Sequence, residues 1–262
     1  MSRTAEVGPL VRGWRQRRRL SQLALSTAVG MSARHLSFVE TGRSRPSPEL
    51  LLRLSEELDV PLSERNALLL AAGHAPTYPE HAPDAGELEP LRSAARHLLE
   101  AHAPYPALLV ERHWELVEAN SAVGVLTAQS AAHLLAEPVN VLRLSLHPEG
   151  MAPRILNLAE WREHVLARLS RQARVTADPV LAGLHEELSA FPGGQHEPSW
   201  TSLDPRVAVP LRYRHGEQVL NLLSTTTVFG QPRDVTAAGL AVEAFFPADR
   251  GTAERLRALA AG

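Results

Sequence analysis

Two short amphipathic segments meet at Gly30 in the stretch from Gln22 to Glu40. Ser21 and Ser32 each precede one of them, as residues at a helix N-terminus commonly do. Gly30 takes a left-handed backbone conformation at little cost, which allows a sharp turn between two helices. Helices this short are not stable alone, so they must share a core with neighbouring helices.

Segments with a helical spacing of apolar residues continue on both sides of this turn. Several begin after a residue that commonly caps a helix, such as Ser47 before Pro48, and Ser63. The predicted helices are Pro9–Arg18, Gln22–Val29, Ser32–Glu40, Pro48–Leu58 and Ser63–Ala72. We therefore predict that residues 1–74 form an all-α bundle of five helices.

Basic residues are concentrated at the start of the chain. Residues 1–45 contain nine arginines and two acids, a balance of +7, whereas the segment beyond residue 75 has a balance of −6. A basic segment on an acidic body indicates a local surface for a polyanion. All 27 basic residues are arginine and cysteine is absent. This excludes a Schiff-base lysine, a Ser-Lys self-cleaving site, disulfides and thiolate metal sites.

The stretch from Gln22 to Glu40 resembles the helix-turn-helix of the phage-repressor (XRE) family. In that family the second helix lies in the major groove of double-stranded DNA, and its early residues contact base edges. The resemblance implies base readout by Ser32, Ala33, Arg34 and Ser37. It also implies contacts to the DNA backbone by Gln22, Arg43, Ser44, Arg45, Arg17 and Arg18.

Two features of this segment carry sharper expectations. Arg34 is the best candidate for sequence discrimination, because a guanidinium can donate two hydrogen bonds to guanine, worth about 1–3 kcal/mol. Arg15 and Glu40 match positions that form a buried ion pair in some family members. Glu40→Ala is therefore expected to destabilise the protein more than Glu6→Ala.

A proline-rich connector separates this bundle from the rest of the chain. Gly73–Pro83 contains three prolines, and Asp84-Ala-Gly-Glu87 has the pattern of a capping box that opens a helix to about Ala101. We predict a DNA-binding domain over residues 1–74, a linker and connecting helix over residues 75–103, and a second domain over residues 104–262.

Residues 104–262 mix short β-rich segments with helices. The predicted strands are Ala107–Glu111, Trp114–Ala119, Val207–Arg214, Gln218–Phe229 and Ala241–Phe246. The predicted helices cover residues 120–128, 140–146, 154–174, 178–190 and 252–260, with Asn120, Asn140 and Asp178 as caps. About five antiparallel strands with helices inserted after the second resemble a PAS-like sensor fold. The second domain is therefore predicted to be α+β.

The same region resembles the ligand-binding domain of MmyB-like regulators, which join an XRE-type DNA reader to a PAS-like module. The resemblance is carried by Asn140–Pro148, Pro153-Arg154 with Trp161, Thr225–Gly230 and Phe245–Asp249. Because that group is linked to fatty-acid-like ligands, the resemblance implies an apolar pocket between sheet and helices. The candidate pocket residues are Leu142, Leu146, Trp161, Leu220 and Phe229, with Arg154 as a partner for a carboxylate.

These expectations combine into a transcription regulator that binds double-stranded DNA as a homodimer and responds to a small apolar ligand, such as a fatty acid. Two alternatives remain open from the sequence. One is an antitoxin-like or scaffolding protein whose C-terminal domain binds a protein partner, and the other is a sensor with flavin or haem in the PAS-like pocket.

The remaining patterns do not favour catalysis, a metal or a membrane. His185-Glu-Glu-Leu-Ser189 lacks the second histidine of a zinc-protease motif, and Gly193-Gly194 is isolated from any nucleotide-binding loop. No apolar segment approaches the roughly 18 residues of a membrane span, and Met1–Leu10 lacks the apolar core of a signal peptide. We therefore predict a cytoplasmic protein without enzymatic activity, resident cofactor or metal.

Overall fold

The computed structural model describes residues 6–82, 85–193 and 208–261. The chain divides into two compact units, Met1–His81 with Pro232–Val235, and Ala82–Gln231 with Thr236–Gly262. Each unit has its own buried core.

The described residues of unit 1 form five helices. They are α1 Val7–Arg17, α2 Gln22–Ala28, α3 Ala33–Glu40, α4 Pro48–Glu57 and α5 Leu62–Ala71. The all-α prediction is confirmed, and each predicted helix overlaps an observed one.

Polar side chains start three of these helices as predicted. The hydroxyl groups of Ser21, Ser32 and Ser47 accept hydrogen bonds from backbone N–H groups at the starts of α2, α3 and α4. The prediction that Ser63 caps α5 is wrong: this helix begins one residue earlier, at Leu62, without a side-chain cap. Pro61 precedes it, and its restricted φ suits the start of a helix.

Trp14 of α1 is 2% exposed and belongs to the buried core of unit 1. Gly30 has a φ of +69°, so it makes the left-handed turn between α2 and α3 that the sequence predicts. Gly8 allows α1 and α3 to approach each other, because an added Cβ would lie 2.6 Å from the carbonyl oxygen of Val39. The pair α2 and α3 is therefore held by the first helix as well as by its own turn.

Unit 2 combines helices with a five-stranded antiparallel sheet in its described residues. The strands are β1 Ala107–Val110, β2 Leu116–Ala119, β3 Leu211–His215, β4 Gln218–Val228 and β5 Ala241–Pro247. Their order across the sheet is β2-β1-β5-β4-β3. The remaining helices are α6 Glu89–His102, α7 Gly124–Thr127, α8 Val141–Leu146, α9 Leu158–Thr176, α10 Pro179–Ser189, α11 Val235–Gly239 and α12 Arg250–Ala261. The predicted α+β, PAS-like arrangement is confirmed.

Alternating side chains of the sheet belong to two different cores. Leu109 on β1 and Val242 on β5 pack with Leu99 of α6. Leu108 and Val110 point the other way and join the larger core that includes α8, α9 and α10. This period of two, typical of a strand, fixes which β5 residues face α9.

Several predicted boundaries of unit 2 need correction. Asn120 does not cap a helix with its side chain; its Oδ1 accepts from Ala107 N–H, and its Nδ2 donates to the carbonyl groups of Leu99 and Tyr105. The long helix begins at Leu158 instead of Arg154, because Ala152–Arg154 forms a 3₁₀ turn.

Other differences are smaller. The sequence did not predict α11, and the strand predicted from Val207 begins at Leu211 in the described residues, with Val207 itself outside them. The turn between β1 and β2 includes Trp114, which adopts a left-handed φ of 68° while its side chain is buried.

Candidate DNA-reading surface and ligand cavity

Helix α3 has one buried face and one open face. Leu36 and Val39 are fully buried, while Arg34 is exposed and Ser37 is half-buried. Ser32, also exposed, caps the helix by accepting a hydrogen bond from His35 N–H at 3.1 Å. The four residues predicted to read bases, Ser32, Ala33, Arg34 and Ser37, therefore occupy the first turns of one helix, and none is fully buried.

Two arginines lie beside the half-buried ring of Phe38. The Cζ of Arg34 lies 5.4 Å from the ring centroid and that of Arg43 lies 6.0 Å from it. Both side chains belong to exposed residues. Cation–π contacts of this kind favour a limited range of arginine positions without using the hydrogen-bond donors of the guanidinium.

A partly buried polar triad joins α1, α2 and α3. Arg15 donates to both carboxylate oxygens of Glu40, Nε to Oε1 at 2.6 Å and Nη2 to Oε2 at 2.8 Å. Gln22 Nε2 donates to the same Oε2 at 2.8 Å. The predicted Arg15–Glu40 pair is present, with 2% of the Glu40 side chain exposed.

The triad also determines the charge state of Glu40. Burial alone would raise the pKa of its carboxyl, but the hydrogen bonds from Arg15 and Gln22 oppose this and hold the pKa below its ordinary value. For Gln22, predicted to contact the DNA backbone, the structure assigns one amide N–H to Glu40 and leaves the second available.

Two of the arginines predicted to contact phosphate donate hydrogen bonds to the ends of helices. Arg18 donates to the carbonyl oxygens of Leu58 and Asp59 after α4, at 2.7 and 2.8 Å. Arg45 donates to the carbonyl groups of Ala72 and Gly73 after α5, at 2.6 and 2.9 Å. Carbonyl groups at a helix C-terminus carry partial negative charge and attract cations. The arginines of unit 1 therefore include side chains that stabilise the fold as well as side chains that face solvent.

The other predicted backbone contacts differ in their exposure. Arg17 is exposed and lies over the Trp14 ring, with its Cζ 4.9 Å from the centroid. Ser44 is half-buried, and its backbone N–H donates to the carbonyl oxygen of Phe38 at 3.1 Å. Arg17 and Arg43 are both exposed members of the predicted backbone set.

Unit 2 contains a cavity between its sheet and the helices α8 and α9. Its volume is about 200 Å³. The wall is mainly apolar, and among its members are Leu108, Trp114, Leu126, Leu142, Trp161 and Val165. Because the wall draws on all five strands, the turn between β1 and β2, and the helices α7, α8 and α9, the cavity depends on the folded form of the whole unit.

One part of the cavity wall carries an ion pair. Arg168 Nη1 donates to Glu243 Oε2 at 3.1 Å, and its Nη2 donates to Glu243 Oε1 and to Thr226 Oγ1. The Arg168 guanidinium also lies over the Trp114 ring, with its Cζ 4.4 Å from the centroid. Glu243 is 4% exposed, so its negative charge is buried against its partner.

His164 lies one helical turn before Arg168 in the same wall. Its ring stacks on Trp161, with centroids 5.6 Å apart. Burial lowers its pKa, and the positive charge of Arg168 lowers it further. The imidazole is therefore neutral at neutral pH and can offer one donor and one acceptor.

The structure brings only part of the predicted pocket together. Leu142 and Trp161 line the cavity. The other four candidates lie elsewhere: Leu146 and Leu220 are in the solid core, and Phe229 packs against the α6 side of the sheet. Arg154 interacts with the side chain of Tyr213, whose hydroxyl donates a hydrogen bond to the carbonyl oxygen of Leu126.

Sequence reasoning missed Trp114, His164, Arg168 and Glu243 in this wall. The signal for Glu243 is present in the sequence, since a carboxylate interrupts the apolar strand Ala-Val-Glu-Ala-Phe. The contribution of Arg168 depends on tertiary packing, because 75 residues separate it from Glu243.

Within residues 6–82, 85–193 and 208–261, one group of side chains could hold a metal ion. Potential ligand atoms of His133, His147 and Glu149 lie within 4.8 Å of one another, with His133 and Glu149 exposed. The Nδ1 of His147 accepts a hydrogen bond from the backbone N–H of Glu149 at 3.0 Å, so only its Nε2 is available to a metal.

Among the described helices, none has the length and apolarity of a membrane span.

Comparisons with known proteins assign both parts of the chain. Residues 11–65 match the helix-turn-helix family. Residues 91–259, more than half of the chain, match the family described as the MmyB-like transcription regulator ligand binding domain. A comparison with curated proteins found no match.

Among solved structures, one similar chain is an RNA-binding light-oxygen-voltage receptor, at 15% identity and a TM-score of 0.28. The alignment covers 98% of this chain and 64% of the receptor chain, so it leaves more than a third of the receptor unmatched. A TM-score this low supports no argument about the present fold. The two family matches carry the assignment: the chain belongs to the MmyB-like transcription regulators, with a helix-turn-helix module preceding the ligand-binding domain of that family.

Proposed function

We propose that this ligand-regulated DNA-binding transcription regulator reads its operator with α3 and responds to a small, predominantly apolar ligand in the cavity of unit 2. The observation that carries the ligand part is the cavity wall, in which leucine, valine and tryptophan side chains surround about 200 Å³ of space. Ligand sites in proteins are typically concave and apolar, with a few polar groups that fix orientation.

On DNA, the early residues of α3 enter the major groove. Arg34 is exposed near the start of the helix and is the residue that discriminates guanine, while Ala33 contacts a thymine methyl group. Ser37 provides a hydroxyl group on the face of α3 that carries Arg34, and Ser32 provides one at the start of the helix. Support comes from the orientation of α3, whose opposite face is anchored by the buried Leu36 and Val39.

Contacts to the DNA backbone come from Arg17, Arg43, Ser44 and the free amide N–H of Gln22. Arg18 and Arg45 are omitted from this set, because their guanidinium groups already bind helix carbonyl groups. Backbone contacts of this kind supply affinity and register but little sequence choice.

Two copies of the chain bind a palindrome, with their recognition helices about one helical turn of DNA apart. Ligand binding changes the affinity of this homodimer for DNA. By linkage, DNA must then change ligand affinity by the same factor. In this conformation a volume of about 200 Å³ is small for the fused rings of a flavin or for a haem, which disfavours the cofactor-sensor alternative.

The test is a comparison of Arg34→Ala with Arg53→Ala, an exposed arginine on α4. Duplexes selected from a random pool by the wild-type protein provide the target, and fluorescence anisotropy measures binding to that target and to scrambled DNA. Arg34→Ala should weaken binding to the selected site by about 1–3 kcal/mol and leave scrambled DNA unaffected. If Arg34→Ala and Arg53→Ala discriminate the two duplexes equally well, α3 does not read the bases as proposed.

A further inference from the structure

The positive and negative charges in the cavity wall balance each other. Among the described lining residues, the ionised side chains are Arg168 and Glu243, and they form a bidentate pair with each other. Thr226 takes up a further donor of the guanidinium. The cavity therefore presents no uncompensated positive charge from these residues.

The other polar groups of the wall are uncharged. Ser145 Oγ accepts a hydrogen bond from Trp161 Nε1 at 3.0 Å, which leaves the hydroxyl proton of Ser145 free to seek another acceptor. Ser224 and His164 also line the cavity. Hydroxyl and imidazole groups of this kind suit a ligand that both donates and accepts hydrogen bonds.

From this charge balance we infer that the polar end of the ligand is an uncharged hydrogen-bonding group, such as a hydroxyl, carbonyl or amide, and not a free carboxylate. A carboxylate beside Arg168 would also lie close to the buried carboxylate of Glu243. Like charges held together in a poorly solvated site repel each other, and a buried ion without its own partner is unfavourable. The inference rests on the proposed ligand-binding role of the cavity.

The volume limits the length of the ligand. An apolar cavity of roughly 150 Å³ accepts benzene, so a cavity of about 200 Å³ accepts a ligand of about eight to ten non-hydrogen atoms. This corresponds to a medium-length chain with one polar end.

The test uses 1-octanol and octanoate, two probes with the same chain length and different end groups. Isothermal titration calorimetry measures their binding to the full-length protein at neutral pH. We expect 1-octanol to bind at least about tenfold more tightly than octanoate, a difference of roughly 1.4 kcal/mol. Octanoate binding as tightly as 1-octanol, or more tightly, would overturn the inference but leave the proposed function intact. Binding of neither probe would overturn both.

Two variants locate the effect. Leu142→Trp fills part of the cavity and should abolish 1-octanol binding; persistence of that binding places the probe elsewhere and overturns the inference. Glu243→Gln removes the negative charge and keeps the shape, so octanoate should bind it at least about tenfold more tightly than it binds wild type. Glu163→Gln, an exposed carboxylate on α9, is the matched control and should change neither affinity.

Circular dichroism first confirms that each variant is folded. No gain in octanoate affinity for folded Glu243→Gln would contradict the inference. If that variant does not fold, the wild-type comparison of the two probes decides the question alone.

Discussion

Removing the carboxylate of Glu40 should destabilise unit 1 more than any comparable surface change. Glu40→Ala deletes the acceptor of three hydrogen bonds, two from Arg15 and one from Gln22. Arg15 keeps its bond to the Leu20 carbonyl group but loses its counter-charge. Breaking a buried pair in this way costs about 3–5 kcal/mol. Because 11% of the Arg15 side chain stays exposed, we expect the lower end, about 3 kcal/mol.

Hydrogen-exchange mass spectrometry on the full chain measures this loss locally. A cost of about 3 kcal/mol corresponds to on the order of a hundredfold faster exchange in peptides from α2 and α3. Peptides from β4 and β5 serve as an internal reference and should not change. The control is Glu56→Ala, which removes an exposed carboxylate from α4. Equal exchange in the two variants would refute the reasoning.

A double variant separates the loss of the pair from the loss of packing. Arg15→Met with Glu40→Leu replaces both charges by apolar groups of similar length, so no buried charge is left unpaired. Such replacements are often neutral for stability. The double variant should therefore exchange much more slowly than Glu40→Ala alone.

The same pair makes unit 1 sensitive to acid. The hydrogen bonds from Arg15 and Gln22 outweigh burial and lower the pKa of Glu40 in the folded protein below its ordinary value of 4.5. A carboxyl with a lowered folded-state pKa contributes its stability above the unfolded-state pKa and loses it as pH falls through the folded-state pKa. The exchange difference between wild type and Glu40→Gln should thus be constant above the unfolded-state pKa of the carboxyl. It should shrink as the pH falls from there through the folded-state pKa.

Three further predictions each concern one side chain, and the first two separate residues that the sequence alone treats as equivalent. Arg43→Ala should reduce the salt dependence of DNA binding by about one unit of slope without changing exchange in α5. Arg45→Ala should keep that slope and accelerate exchange near Ala72 about tenfold, because it removes two charged hydrogen bonds from the end of α5. Asn120→Ala should destabilise unit 2 by about 2–3 kcal/mol in urea unfolding followed by tryptophan fluorescence, since three backbone groups lose their partner. Exposed Gln129→Ala is its control, and equal unfolding midpoints would contradict the prediction.

The helices of unit 1 could be predicted because their signals are local. A capping serine, the spacing of apolar residues and the left-handed turn at Gly30 each act within a few residues. The hairpin of β1 and β2 and the cap at Asn140 are of the same kind. These features need no knowledge of the rest of the chain.

The roles of the arginines could not be predicted in this way. Arg43 and Arg45 are two residues apart, yet one is exposed beside Phe38 and the other binds carbonyl groups at the end of α5. The partner that distinguishes Arg45 lies 27 residues further along the chain. Only the packing of the helices of unit 1 brings Arg45 to the end of α5. Local composition therefore gives Arg43 and Arg45 the same interpretation.

Apolar residues of strands and helices present a related difficulty, and Glu243 is a partial exception. Leu220 and Leu142 have the same side chain, but one is fully buried in the core and the other borders open space. Sequence pattern predicts the buried face of a strand and says nothing about voids along it. A carboxylate on such a face is different, because it is retained only with a partner, here Arg168. An isolated charge within an apolar strand therefore predicts a polar position inside the domain, and in this chain that position lies in the wall of the cavity.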